Sequence, residues 1–370
     1  MFQNISKSEF LLEYWQKKPL LIRDALPGFE GLLSPEELKT LSSREDVQSR
    51  IVAFSEGKWM LENGPFSKKY FRDLPSFWTL LVQGVNHVLR DGEKLLGLFD
   101  FIPRARLDDL MVSYAPDGCG VGPHFDSYDV FLLQGMGNRK WQISSRKDMD
   151  LVPDAPLRIL SRFEPEQEWM LASGDMLYLP PKYAHNGIAV GESMTYSIGF
   201  RAPSHQELAT QFLVYLQDHF EISGMYEDPD LELQDHPAQI GRNMLEKVGK
   251  AISSIRWDEK EVEKFLGLYL SEPKPHLFFD PPSRPLSRKS FIKRIGESGI
   301  RLDLRSEMLF TEEAVFINGE RIPFGNLDRN LLVELADRRG VSRVETRGET
   351  EAILYQWYSE GYIGIGGEIG

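Results

Sequence analysis

Cysteine is nearly absent. Cys119 is the only one in 370 residues, which excludes an internal disulfide framework and any metal site built from several thiolates. So little cysteine suits a reducing compartment, and a cytoplasmic location is expected. Long apolar runs are missing too: no stretch of 18 or more residues is continuously hydrophobic, so no membrane-spanning helix is expected. Positive charge is in deficit. The chain carries 43 lysines and arginines against 56 acidic residues, a net charge of −13. That is the wrong sign for nonspecific nucleic-acid binding and a suitable one for a neutral or basic partner. The opening MFQNISKSEFLLEYWQKKPLLIRD has no basic segment ahead of a continuous apolar one, so it reads as folded chain and not as a secretion signal. Histidine is scarce, with seven in all, and there are no internal repeats or low-complexity tracts.

What is present is enough for a substantial core: 41% hydrophobic residues, including 22 phenylalanines, place the chain among folded proteins. Near the N-terminus, Ser8 ahead of Phe10, Leu11, Tyr14 and Trp15 reads as a capped amphipathic helix, followed by a strand at Pro19 to Ile22. Residues 1 to about 100 mix helices and short strands; FWTLLVQGVNHVL reads as a buried helix with His87 near its C-terminal end. From about 107 to 203 short alternating or β-branched runs recur (LMVSYA, DVFLLQG, KWQIS, WMLASGDMLYLP, MTYSIGFRA), separated by turn-forming residues. Evenly spaced short strands of this kind suggest a sandwich or barrel. Helical periodicity returns over 204–272, in SHQELATQFLVYLQDHF and PAQIGRNMLEKVGKAISSIRW. A proline-rich linker, SEPKPHLFFDPPSRPLSRK, leads to a last segment, 283–370, whose alternating strands and two helices are compatible with a small winged-helix-like α+β domain. Residues 281–370 hold 13 basic and 14 acidic side chains, so that tail is expected to scaffold and not to bind nucleic acid.

The stretch GVGPHFDSYDVFLLQG (120–135) places His124 and Asp126 two residues apart. Such spacing is weak by itself, because His205/Glu207 and His219/Glu221 repeat it. Secondary structure separates the three. Residues i and i+2 share a face in a strand and can hold one ion, whereas on a helix they diverge. His205 and His219 fall in the helical region; His124 opens a strand. His87, His236 and His276 lie on a helix or beside prolines outside the strand-rich region. His185 follows GDMLYLPPKYAH at a strand end and supplies a third candidate. Two imidazoles, one carboxylate and open positions make up the facial set of non-haem Fe(II) oxygenases. Two histidines and a carboxylate also serve zinc hydrolysis, but no His-Glu-x-x-His helix accompanies them here.

These residues sit inside longer motifs. Gly122-Pro123-His124-Phe125-Asp126, then Gln134-x-x-Gly137-x-Arg139-x-Trp141, then Gly174-Asp175-x-Leu177-Tyr178-x-Pro180-Pro181-x-x-x-His185, resemble a JmjC-domain 2-oxoglutarate oxygenase. The opening YWQKKPLLIR also resembles the start of that domain, and the helical middle and α+β tail resemble the bacterial ribosomal oxygenase branch. The resemblance implies a mixed α/β chain with a double-stranded β-helix (jelly-roll, cupin-like) catalytic domain over 1–203, a helical dimerisation region over 204–272 and a winged-helix-like domain over 283–370. It implies Fe(II) held by His124, Asp126 and His185, and 2-oxoglutarate as cosubstrate gripped by Arg139, with Ser113 hydrogen-bonding it. It implies hydroxylation of an arginine β-carbon on the sixteenth protein of the large ribosomal subunit, a basic partner.

An arginine substrate needs a carboxylate near the iron. Asp109 is preferred over its neighbour Asp108, with Ser197 as a further contact. The helix stripes Leu208, Phe212, Leu213, Leu216 and Ile240, Met244, Val248, Ile252 must pack somewhere: over the barrel within one chain, the commoner outcome for amphipathic helices, or, as the resemblance implies, in a two-fold dimer. No direct nucleic-acid binding and no membrane is required. The motifs define the iron chemistry more tightly than the substrate. A JmjC oxygenase acting on a histidine or lysine of another protein, and a non-catalytic jelly-roll binding module, therefore remain open; the Gln-x-x-Gly-x-Arg-x-Trp pattern opposes a cupin isomerase.

Overall fold

Two antiparallel sheets organise the first two hundred residues in the computed structural model, which describes residues 5–146 and 150–366. The strands are β1 (Leu20–Ile22), β2 (Ser49–Ser55), β3 (Lys58–Asn63), β4 (Phe77–Val82), β5 (Leu107–Ala115), β6 (His124–Phe125), β7 (Asp129–Gln134), β8 (Asn138–Ser144), β9 (Gln167–Leu171), β10 (Met176–Leu179), β11 (Ala184–Val190) and β12 (Ser193–Phe200). The larger sheet has the order β1-β10-β7-β12-β5-β4-β2-β3 and the smaller the order β6-β11-β8-β9. This is the jelly-roll the sequence implies.

Strand β7 shows why the sheets stack. Val130 and Leu132 turn inward and pack with Trp141, Ile143, Leu171 and Leu179 from both sheets. Phe131 and Leu133 turn outward into a second cluster with Phe10, Phe99 and Tyr178. A strand covered on both faces reads as a continuous apolar run, as DVFLLQ does.

The outer cover comes from α1 (Lys7–Glu13), α2 (Pro35–Leu41) and α3 (Arg90–Gly97). Ser6, not Ser8, caps α1: its hydroxyl accepts the Glu9 amide at 3.0 Å, which starts the helix two residues earlier than expected. Phe10 is fully buried, edge-on to Tyr178 at 4.9 Å, a contribution of about 1.5–3 kcal/mol for a side chain of this size. The expected buried helix over FWTLLVQGVNHVL is instead β4 followed by a single 3-10 turn, Val85–His87. A short apolar run fits a buried strand as well as a helix. Here Gly84, at φ +63, turns the chain out of the sheet.

The remainder runs α4 (His205–His219), α5 (Arg242–Ser253), α6 (Glu259–Ser271), α7 (Arg288–Ser298), β13 (Ile300–Leu302), β14 (Met308–Phe310), β15 (Ala314–Ile317), β16 (Glu320–Pro323), α8 (Arg329–Arg338), β17 (Gly340–Val341), α9 (Glu349–Glu360) and β18 (Ile363–Ile365). Two compact units form, and they cut across the expected consecutive segments. One gathers Met1–Ala202, Lys274–Ser306 and Asp337–Gly370; the other gathers Pro203–Pro273 and Glu307–Ala336.

Within the second unit the reason is visible in α6, whose Gly267 allows the Phe316 ring of β15 to approach so closely that a Cβ would lie 2.3 Å from it. Tyr215 and Leu216 of α4 pack on Phe265 of α6, so Leu216 belongs to an internal core and not to the expected surface stripe. Leu213 is 64% exposed, and α5 buries none of its residues, leaving Met244, Val248 and Ile252 open. Within the first unit β17-β13-β18 form a small sheet, and Phe291 of α7 stacks on Tyr358 of α9 at 4.7 Å. Among the described residues no helix is long and apolar enough to cross a membrane.

Candidate active site

The inward faces of the two sheets enclose a cavity of about 220 Å³, and His124, Asp126, His185, Arg139, Ser113 and Ser197 all line it. Antiparallel pairing of β6 with β11 sets His124 directly opposite His185, with ring centroids 4.2 Å apart. Each ring is fixed by the chain two residues before it: Nδ1 of His124 meets the Gly122 carbonyl at 2.9 Å, and Nδ1 of His185 meets the Tyr183 carbonyl at 3.0 Å. A carbonyl can only accept, so both Nδ1 atoms carry the proton, and Nε2 is the nitrogen each ring offers to a metal. That is the tautomer a metal-binding histidine needs, held by the backbone contact that usually accompanies it.

Nε2 of His185 lies 3.6 Å from Oδ2 of Asp126. Burial, reinforced by His124 and opposed by Asp126, brings the pKa of His185 down to about 4. The imidazole is therefore neutral near pH 7, and the contact is a juxtaposition of two lone-pair donors, not an ion pair. One ligand atom from each of the three residues falls within 4.8 Å of the others, the one such group among the described residues. Two imidazole nitrogens and one carboxylate oxygen on one side of a cavity fit a divalent ion with further positions open.

Arg139, in β8, is 2% exposed. Nη2 donates to the Gly187 carbonyl at 3.1 Å, and the guanidinium lies over the Trp141 ring at 5.3 Å. Nε and Nη1 have no partner, and burial lowers the pKa to about 10, so the side chain remains a cation. A buried cation with two unused donors and no carboxylate beside it is costly to leave alone. It fits an anionic ligand that enters the cavity. Gly187 makes room for it: a Cβ there would stand 2.7 Å from Nε of Arg139 and equally close to Trp141.

The hydroxyl of Ser113 has one long contact, to the Thr195 carbonyl at 3.5 Å, and is open to a ligand. Ser197 is the register partner of Met111, and both line the cavity. Asp109 does not line it; it stands next along the same face of β5, buried, accepting the Gly84 amide at 3.1 Å. Lys140, next to Arg139, is half-buried and 3.8 Å from Glu168. His205 and His219 bound α4 as expected.

Sequence reading missed Tyr128, Arg50, Met111 and Arg158, which share the cavity. A signal for Tyr128 existed in the alternation Tyr128, Val130, Leu132, and one for Arg50 in a lone arginine within the strand-like SRIVAFS. Asp129, three residues past Asp126, serves structure. Its carboxylate accepts from Tyr178 at 2.7 Å, Gln16 at 2.9 Å and Arg106 at 3.2 Å.

This site on this jelly-roll defines a JmjC-type oxygenase fold, and comparison with known families matches residues 94–208 to the JmjC domain. Residues 254–364 match the ROXA-like winged helix, which reaches back into α6. The chain is 33% identical over 316 residues to the ribosomal protein uL16 3-hydroxylase of Escherichia coli, covering 85% of this chain and 84% of that one. It belongs to the bacterial ribosomal oxygenase family of JmjC-domain proteins. A solved structure of YcfD from Escherichia coli superposes with a TM-score of 0.85 at 30% identity over 98% of both chains. One with cobalt and 2-oxoglutarate superposes with a TM-score of 0.83 over the same share.

Proposed function

We propose that the protein is a 2-oxoglutarate- and Fe(II)-dependent hydroxylase that acts on the β-carbon of an arginine in ribosomal protein uL16. The observation that carries this reading is the meeting, in one cavity, of two imidazole rings, the Asp126 carboxylate and a buried arginine with two unused donors. His124, Asp126 and His185 hold the iron. Arg139 takes the far carboxylate of 2-oxoglutarate through parallel hydrogen bonds, which its planar guanidinium matches, and Ser113 adds a hydrogen bond. Held there, Fe(II) supplies the dioxygen chemistry that couples decarboxylation of 2-oxoglutarate, giving succinate and carbon dioxide, to hydroxylation. Val130, Leu132 and Trp141 wall the cavity with apolar surface, which keeps water from a reactive centre. Asp109 and Ser197 receive the substrate side chain, on the face of the sheet that also carries Met111 and Ser113.

A basic ribosomal protein suits a chain of net charge −13, and a cytoplasmic location follows from that partner. The near-neutral tail needs no nucleic-acid contact. The exposed stripe of α5, with Leu213 of α4, supports self-pairing into a homodimer, in which the same apolar patch meets itself. A non-catalytic role fits poorly with an intact ligand set beside an unpaired Arg139. The test is succinate release from 2-oxoglutarate by purified protein with Fe(II) and uL16, followed by peptide mass spectrometry. One added oxygen on an arginine is expected; oxygen on a histidine or lysine, or no turnover, overturns the substrate assignment.

A further inference from the structure

The acidic end of the cleft already holds a cation. On β5, Asp109, Met111 and Ser113 follow one another at alternate positions and so share a face; Met111 and Ser113 line the cavity, and Asp109 comes next, opposite Gly199 of β12. Tyr128 bridges the two regions. It lines the cavity, and its ring lies beside Gly199, where a Cβ would stand 3.9 Å from Cε2 of Tyr128 and 4.0 Å from the Asp109 carbonyl oxygen. Against Asp109 and its neighbour lies Lys274, its Nζ 3.1 Å from Oδ1 of Asp108 and 3.5 Å from Oδ2 of Asp109. Arg201 stands 3.3 Å from the same Oδ1 of Asp108. Two carboxylates thus face two cations, and the charge is balanced before any substrate arrives. Burial and Asp108 raise the pKa of Asp109, while Lys274 and the Gly84 amide oppose the rise. Lys274 lies in Glu272-Pro273-Lys274-Pro275, where flanking prolines restrict the backbone.

We propose that Lys274 is a specificity-determining residue: it occupies the Asp108–Asp109 pair as a resident counter-cation and gives the pair up only to a guanidinium. The inference rests on the reading that Asp109 receives the substrate's cation. A guanidinium entering beside Lys274 meets a like charge unless the ammonium moves away. Exchange favours arginine, because its planar, weakly hydrated head takes a carboxylate with two parallel bonds where an ammonium makes a point contact. A substrate lysine would replace one ammonium by another and gain nothing. The resident lysine therefore rejects lysine side chains by competition, the repulsive half of a specific site.

The experiment measures binding and turnover by full-length protein with Fe(II) and 2-oxoglutarate, using a basic peptide with one central arginine and the same peptide with lysine. The native enzyme is expected to favour the arginine peptide at least tenfold. Lys274→Met should improve lysine-peptide binding about tenfold and shrink that preference. Lys274→Arg is the sharper variant, since guanidinium would then have to displace guanidinium. KM for the arginine peptide should rise about tenfold, although charge and ion pairs are conserved. A structural role for Lys274 requires the opposite, rescue by arginine. Native-like KM in Lys274→Arg, or unchanged discrimination in Lys274→Met, overturns the inference while leaving the activity standing. If the native enzyme turns over neither peptide, the substrate reading fails and the inference falls with it.

Discussion

His124 and His185 are register partners across the β6–β11 pair, with ring centroids 4.2 Å apart and planes at 60°. Cross-strand neighbours are the closest side chains two antiparallel strands can offer. Residues 61 positions apart in the chain are thereby brought together, and Asp126 reaches the same point from the residue immediately after β6.

His124→Ala, Asp126→Ala and His185→Ala should each remove Fe(II)-dependent succinate release, leaving about 1% or less, as loss of a direct ligand exceeds the 10–100-fold typical of groups one shell further out. Fe(II) or Co(II) binding, followed by calorimetry, should weaken in parallel. Native-like turnover in any one of the three removes that residue from the ligand set.

Arg139→Ala should raise the KM for 2-oxoglutarate and change that for peptide little. Hydrogen bonds to a charged group contribute about 1.5–3 kcal/mol, which corresponds to roughly 10–150-fold. Gly187→Ala should move the same constant in the same direction, because its Cβ would collide with Nε of Arg139 at 2.7 Å. Steady-state kinetics with 2-oxoglutarate varied decides; an unchanged constant in both variants detaches Arg139 from the cosubstrate.

His87 makes the fold acid-sensitive. Burial, then Lys274, Arg339 and His276, bring its pKa from 6.5 down to about 3, and neither ring nitrogen has a partner. Between those pH values the unfolded chain takes up a proton here that the folded chain refuses. Stability is fully present above pH 6.5 and falls as pH drops towards 3. At about 1.4 kcal/mol per unit, going from pH 7 to pH 5 costs about 2 kcal/mol through this residue. Urea unfolding of His87→Leu at both pH values should show a loss smaller by that amount; identical losses would assign the acid sensitivity elsewhere.

Asp129→Ala should destabilise the protein by about 3–5 kcal/mol, the usual result of removing one partner from a buried charged network. Tyr178, Gln16 and Arg106 would lose their shared acceptor, and β7, β10, the segment after α1 and the residue ahead of β5 are tied through it. Denaturant titration checks the value, and a loss below about 1 kcal/mol would mean that water replaces the carboxylate.

Light scattering should give a mass near twice 42.5 kDa. Leu213→Glu with Ile252→Glu should reduce it to that of one chain. Both positions are more than 60% exposed in the single chain, so the substitutions should leave its folding intact. A monomeric native protein at micromolar concentration refutes the dimer and leaves the iron chemistry untouched.

Local pattern alone determined a good part of this protein. Short strands with turn residues between them pointed to a sandwich or barrel, because alternation and turn chemistry act over a few residues, and the resemblance of the longer motifs implied the jelly-roll. The strand setting of His124, with Asp126 just past the end of β6, against the helical setting of His205 and His219, separated one metal candidate from its look-alikes for the same reason. Tertiary structure decided what depends on partners distant in sequence. FWTLLV became a strand because β2 and β5 were there to pair with it. Residues 307–336 joined the helical unit because Phe316 found Gly267. Lys274 came to Asp109 from 165 residues away. Periodicity records which face of an element is buried, but it carries no record of what covers that face. Register, counter-charges and domain grouping are set by long-range packing.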